Sequence, residues 1–321
     1  MEKPHFQQPP SSPFRWVDAV GPALAGLVVL IFYGWIPAFG PGHEQSPLVW
    51  LQSTWNSQND FEHGFLVPLI MVGLLVWQGK KLRQSVQPGS WLGAAVAMIG
   101  VGFFVLSWRT GQARLAIGGL PMILWGSAWF LYGWRVAVLT FFPLFLLWLA
   151  IPVPQFQQAT TKLQILSTHL ASTGCRWLGI ETEVRGTQIA SLTQKWDPLE
   201  IDDGCSGIRS LMALILISSV WAYISKMPLW KKAILCLSAF PLAIIGNTLR
   251  LTSIFMIAEY GDPHFAIHTW HDWAGLVIFY PISLILLLGL HALLEGGKPL
   301  YRWFRPKSRR VVRKQVQMTE S

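Results

Sequence analysis

The chain has 321 residues, of which 52% are hydrophobic and only 13% charged, with a formal net charge of +9. That balance excludes an ordinary soluble domain, and basic residues flanking apolar runs explain the charge without nucleic acid. Three widely spaced cysteines exclude a disulfide framework and a zinc ribbon.

Residues 1–18 are Pro-rich and read as a short cytoplasmic segment, with no sign of a cleaved signal peptide. Beyond them, apolar runs predict eight membrane spans at about 19–37, 64–78, 91–108, 115–133, 136–152, 206–225, 233–257 and 273–294. Most approach the roughly 20 residues needed to cross about 30 Å of hydrocarbon. No internal repeat is evident. The predicted fold class is an all-α polytopic membrane protein of about eight transmembrane helices, with a small outer insertion made of an amphipathic helix and a β-hairpin.

Lysines and arginines set the orientation. The loop from Phe39 to Asp60 has none, whereas Lys80, Lys81 and Arg83 follow span two. Arg135 separates spans four and five, and Lys226, Lys231 and Lys232 lie between spans six and seven. Eight more basic residues, from Lys298 to Lys314, follow span eight. The positive-inside rule places all of these, and both termini, in the cytoplasm. Arg109 and Arg114, in a short outer loop, are a mild exception.

This orientation leaves one large outer segment, about 153–205. Leu163, Ile165, Leu166, Leu170 and Leu178 are spaced as on an amphipathic helix lying near the outer surface. The following stretch alternates loosely and turns at Gly186, which predicts a β-hairpin.

Chemistry-bearing residues gather on the same side. The hairpin leads into "DDGCSGIRS", residues 202–210. There Cys205 falls at the start of span six, where free backbone N–H groups and the helix dipole favour a thiolate. Asp203 and Ser206 can cap that helix start, and Arg209 follows within a turn. Cys175 and Cys236 read as small buried hydrophobes. Span seven is interrupted by Asn247 and Arg250. An arginine at a span centre costs about 2.5–3.5 kcal/mol on insertion scales, so it normally faces a polar interior. Between spans seven and eight come His264, His268, His271 and Asp272. His268 and His271 share a face if the helix starts early, and either is a candidate acid–base group.

Taken together, "DGCSGIR", then "NTLR", then "HDWAG" resemble the signature of the exosortase/archaeosortase family of membrane cysteine enzymes. The resemblance covers roughly 60–295 and extends to the histidine–glycine pair of "EHGFLVP" at 62–68. It implies a membrane-embedded cysteine peptidase or transpeptidase in the cytoplasmic membrane, with its active site on the outer face. It further implies Cys205 as nucleophile, Arg250 as the family's arginine and His271, four residues ahead of Gly275, as its histidine. Asp203, Arg209, Asn247 and His268 would then be supporting residues. Implied partners are exported proteins with a C-terminal sorting signal of the Pro-Glu-Pro kind, and a membrane lipid or surface acceptor. No cofactor and no metal are implied. The implied organisation is an exosortase-like membrane domain over 19–295 and a basic cytoplasmic tail over 296–321. Gly204 stands where the family often has alanine.

Two other readings account for parts of the pattern. A transporter or exopolysaccharide-assembly protein would line a polar path with Arg250 and the histidines. A metal-dependent membrane hydrolase would use His264, His268, His271 and Asp272.

Overall fold

The computed structural model describes residues 23, 26–39, 44–152, 154–196, 198–200 and 208–296. The chain divides into two compact units. Residues through Leu166, together with Glu200–Leu216, form the first; Ser167–Leu199 and the residues from Ile217 onward form the second.

The first unit opens with α1 (Gly26–Trp35), α2 (Pro47–Ser53), α3 (Glu62–Trp77) and the short α4 (Gly79–Gln84). It continues with α5 (Trp91–Thr110), α6 (Ala113–Tyr132) and α7 (Trp134–Ala150). It also holds the first part of α8 (Pro154–Trp177) and the start of α9 (Ile208–Ile224). Local sequence sets the helix ends. The Ser90 side chain accepts from the Leu92 N–H at the start of α5, and Gly111 closes that helix in the left-handed region at φ 66°, where a Cβ would be strained.

Helices α5 and α6 pack backbone to backbone along a seam of glycines. A Cβ on Gly100 would lie 2.7 Å from the Gly119 carbonyl oxygen, and one on Gly126 would lie 2.4 Å from the Ala97 nitrogen. Gly93 comes as close to Phe130, 2.3 Å from its nitrogen. Small residues permit this approach, which is how helices associate where lipid removes the hydrophobic driving force. The opposite side of α5 exposes Trp91, Leu92, Met98 and Leu106, side chains suited to hydrocarbon rather than water.

In the second unit, α10 (Leu229–Leu237) and α11 (Ala239–Tyr260) break the predicted span 233–257 at Ser238. The last helix, α12 (263–294), starts well before the predicted 273 and so includes His264, His268 and His271. Its winding alternates between π and α turns: π over Phe265–Trp270, α over His271–Ala274 and π over Gly275–Phe279.

From Ser167 on, α8 runs alongside α11 in the same direction. Asn247 Nδ2 donates to Ser167 Oγ at 3.1 Å, a Cβ on Gly174 would press on Thr252 Oγ1 at 2.6 Å, and the Tyr260 hydroxyl donates to the Leu178 carbonyl at 2.9 Å. The buried side of this stretch is small and polar: Ser167, Thr168, Ala171, Ser172 and Cys175. Trp177 and Leu178 are exposed. The buried side of the helix thus differs from the apolar side expected of it: its inward neighbours on α11 are Asn247, which bonds to Ser167, and Thr252, which the bare Gly174 lets come close.

Strands β1 (Thr182–Arg185) and β2 (Gln188–Ser191) pair antiparallel, from Thr182 opposite Ser191 to Arg185 opposite Gln188. Gly186 makes the turn at φ 65°. The short β3 (Leu199–Glu200) completes a sheet of order β1-β2-β3. A buried carboxylate fastens the end of the hairpin to α11. Glu259 accepts from Thr193 Oγ1 at 2.9 Å, Trp196 Nε1 at 3.0 Å and Ser191 Oγ at 3.1 Å, and pairs with Lys195 Nζ at 3.1 Å.

By length and composition, Trp91–Thr110, Ala113–Tyr132, Leu229–Tyr260 and Val277–Leu294 can each cross a membrane. Gly26–Trp35, Glu62–Trp77, Trp134–Ala150 and Ile208–Ile224 are shorter apolar helices.

Candidate active site

Arg250 sits in the middle of α11 on its buried side, with only 8% of its surface exposed. Its Nη2 donates to the backbone carbonyl of His271 on α12, a long contact of 3.5 Å. The same carboxyl-ward turn of α12 brings Gly275 against it: a Cβ there would lie 4.0 Å from Arg250 Nε. That is an ordinary contact, so Gly275 is not the point where α11 and α12 approach most closely, as its missing side chain suggests. The tight approach is at Gly246, where a Cβ would meet Ser283 Oγ at 2.6 Å and the Phe279 ring at 2.7 Å.

Hydrogen bonds fix the pairing of the two helices next to Arg250. Trp270 Nε1 donates to Ser253 Oγ at 3.0 Å, and Ser253 Oγ donates to the Arg250 carbonyl at 2.6 Å. Asn247, one turn before Arg250, is buried and bonded to Ser167. The "NTLR" and "HDWAG" stretches therefore meet, and they meet where π turns flank the α turn carrying His271. Such turns are frequent at functional sites. His268 takes a different course. It is exposed, and its ring lies 4.4 Å from that of His264.

Arg209 belongs to a separate cluster within the first unit. Its Nη2 donates to Asp60 Oδ1 at 3.0 Å, and its Nε lies 3.0 Å from Glu62 Oε2 as an ion pair. Asp60 adopts φ 59°, a left-handed conformation that aspartate tolerates better than most residues. Beside it, buried His63 meets the Leu149 carbonyl through Nε2 at 3.0 Å, so that nitrogen carries a proton. A Cβ on Gly64 would strike the Trp55 indole at 2.3 Å, and Trp55 Nε1 donates to the Ala150 carbonyl at 2.9 Å. The histidine–glycine pair thus ties the start of α3 to the end of α7.

Cys205 and Asp203 lie outside the described residues. The other two cysteines are set apart by their surroundings. Cys175 is buried, and loss of solvation pushes its thiol up to about 12. Cys236 Sγ faces the Ser218 carbonyl at 3.9 Å. Among the described residues, no three histidines, cysteines or acids come together to hold a metal ion.

Sequence reasoning missed Asp60, Glu62, Ser253, Trp270 and Glu259. Two of these carried a signal: the acids of "NDFEHG" immediately precede the histidine–glycine pair. Ser253 and Trp270 carried none, because their bond exists only once α11 and α12 pack.

Several long apolar helices and a buried arginine held between two of them define a multi-pass membrane protein. A family model described as Transmembrane exosortase matches residues 55–289. The match takes in most of the chain, including every site residue named above, and the chain belongs to the transmembrane exosortase family. No curated protein and no solved structure matches it significantly.

Proposed function

We propose that this protein is a cysteine peptidase or transpeptidase that processes C-terminal sorting signals of exported proteins at the outer face of the cytoplasmic membrane. The observation that carries the reading is the meeting of Arg250 with the His271 turn, in a chain that belongs to the exosortase family.

In this reading, the membrane domain covers 19–295 and crosses eight times. Both termini and the basic tail 296–321 are cytoplasmic, and the insertion, about 153–205, is outside. The Cys205 thiolate attacks the scissile carbonyl carbon, and the tetrahedral oxyanion collapses to a thioester as the C–N bond breaks. His271 gives its proton to the leaving amine, then takes one from the acceptor, whose oxygen or nitrogen displaces the thiolate. Arg250 supplies positive charge for the oxyanion. Asp203, Arg209, Asn247 and His268 support these groups without bond changes of their own. The acceptor is water, a lipid or a surface glycan. The substrate's apolar helix lies against the spans, which accounts for an enzyme embedded in the bilayer.

The test is co-expression with exported proteins carrying a short motif, an apolar helix and a basic tail. Cys205→Ala is expected to abolish their processing while the protein stays in the membrane; Cys175→Ala and Cys236→Ala are expected to leave it largely intact. Normal processing by Cys205→Ala would remove the thiol mechanism.

A further inference from the structure

The start of α12 carries a second constellation, whose His264 the cysteine mechanism does not use and whose His268 it uses only in support. His264 and His268 are both exposed, and their ring centroids are 4.4 Å apart with planes inclined at 46°. In an α-helix, residues four apart are offset by about 40° around the axis. The segment Phe265–Trp270 is π-wound, and its wider turn brings residues four apart more nearly over one another. The first turn is also pinned: the His264 N–H bonds to Asp262 Oδ1 at 2.9 Å, and the Ala266 N–H to the Asp262 carbonyl at 3.0 Å. The backbone that presents the two rings is therefore organised before any ligand arrives.

We propose that His264 and His268 form a two-imidazole site for a divalent transition ion such as Cu²⁺, Ni²⁺ or Zn²⁺. Imidazole suits these ions, and two rings on one rigid turn bind without the ordering cost that separate side chains incur. Among the described residues, no group of three ligating side chains forms, so none of them supplies a third ligand. The remaining positions are open to water or to a carboxylate from another molecule. The site is thus one of exchangeable binding, unlike a closed structural centre. Among the other described histidines, His63 bonds to the Leu149 carbonyl, His291 is buried beside Trp221, and His169 lies exposed on α8. The proposal stands apart from the proteolytic reading and does not need it.

The experiment uses the full-length protein in detergent, its purification tag removed, with His5 and His43 replaced to lower background. Cu²⁺ is titrated and the spin spectrum recorded. The expected result is one ion per chain with superhyperfine structure from two nitrogens. Either His264→Ala or His268→Ala should lower the affinity at least tenfold and leave one nitrogen. Because both side chains are exposed, the variants should keep the wild-type unfolding midpoint, measured alongside. Unchanged affinity and spectrum in the double variant would overturn the site. So would an equal loss of affinity in His169→Ala, which would reveal adventitious surface binding.

Discussion

The indole of Trp270 and the hydroxyl of Ser253 join α12 to α11 at 3.0 Å, and the same hydroxyl donates onward to the Arg250 carbonyl at 2.6 Å. Trp270 immediately precedes His271, and Ser253 stands three residues after Arg250. One short relay therefore fixes the rotation of α12 at the turn where the His271 carbonyl meets Arg250. The relay touches no substrate in the proposed reaction; it positions the groups that do.

Trp270→Phe keeps most of the ring and removes the donor. A hydrogen bond of this kind contributes about 0.5–1.5 kcal/mol net, so processing should fall about two- to tenfold. Ser253→Ala should match it, and the double variant should lose little more, because either change breaks the same relay. Membrane abundance should not change. Fully additive losses would show that the two side chains act separately.

The two histidines should part company. General acid–base catalysis contributes about 10²–10⁴-fold, so His271→Ala should slow processing by at least about a hundredfold. His268→Ala, which removes a ring paired with His264, should cost less than about tenfold. A severe loss from His268 alone would show that the proton passes through the other ring while the thiol chemistry stands.

Asp60 and Arg209 should prove energetically coupled. In a double-mutant cycle with Asp60→Asn and Arg209→Gln, an interaction of about 1 kcal/mol is expected in detergent unfolding, reduced by the partial exposure of Arg209. Processing should follow the cycle, because Arg209 lies in the first turn of α9, four residues after Cys205 in the sequence. A coupling of zero would make the ion pair incidental.

Removal of the Glu259 carboxylate should free the hairpin from α11. Glu259→Ala strands the Trp196 donor and leaves the Ser191 and Thr193 hydroxyls only their bond to each other. The cost is about 3 kcal/mol, with little of it from half-exposed Lys195. That corresponds to about a hundredfold rise in the open population. Limited proteolysis within 182–196 should accelerate by a similar factor. Cleavage at the wild-type rate would mean that other contacts hold the hairpin.

Much of this was legible in the sequence for local reasons. Long apolar runs gave the helices α5, α6 and α11 because hydrophobicity is read residue by residue. Asn247, Arg250 and His271 stood out because polar groups beside or within apolar spans need partners. What stayed hidden depends on packing. Asp60 and Glu62 matter because Arg209, far along the chain, folds back onto them. The early start of α12 follows from π turns, which leave no periodic signature in composition. The polar inward side of α8 was masked by its leucines, which dominate any reading of periodicity yet do not mark its buried side.

The glycine seam has a consequence for how the chain is made. Gly93 and Gly100 on α5 are seven residues apart, as are Gly119 and Gly126 on α6, and the close approaches pair Gly100 with Gly119 and Gly93 with Gly126. Sliding one helix by a single residue would drive side chains into backbone at every one of these points together. The hairpin thus has one admissible alignment, fully specified once residue 133 has emerged during synthesis, before α8 to α12 exist. It can serve as the first committed piece of the bundle, a preassembled post against which later helices are sorted.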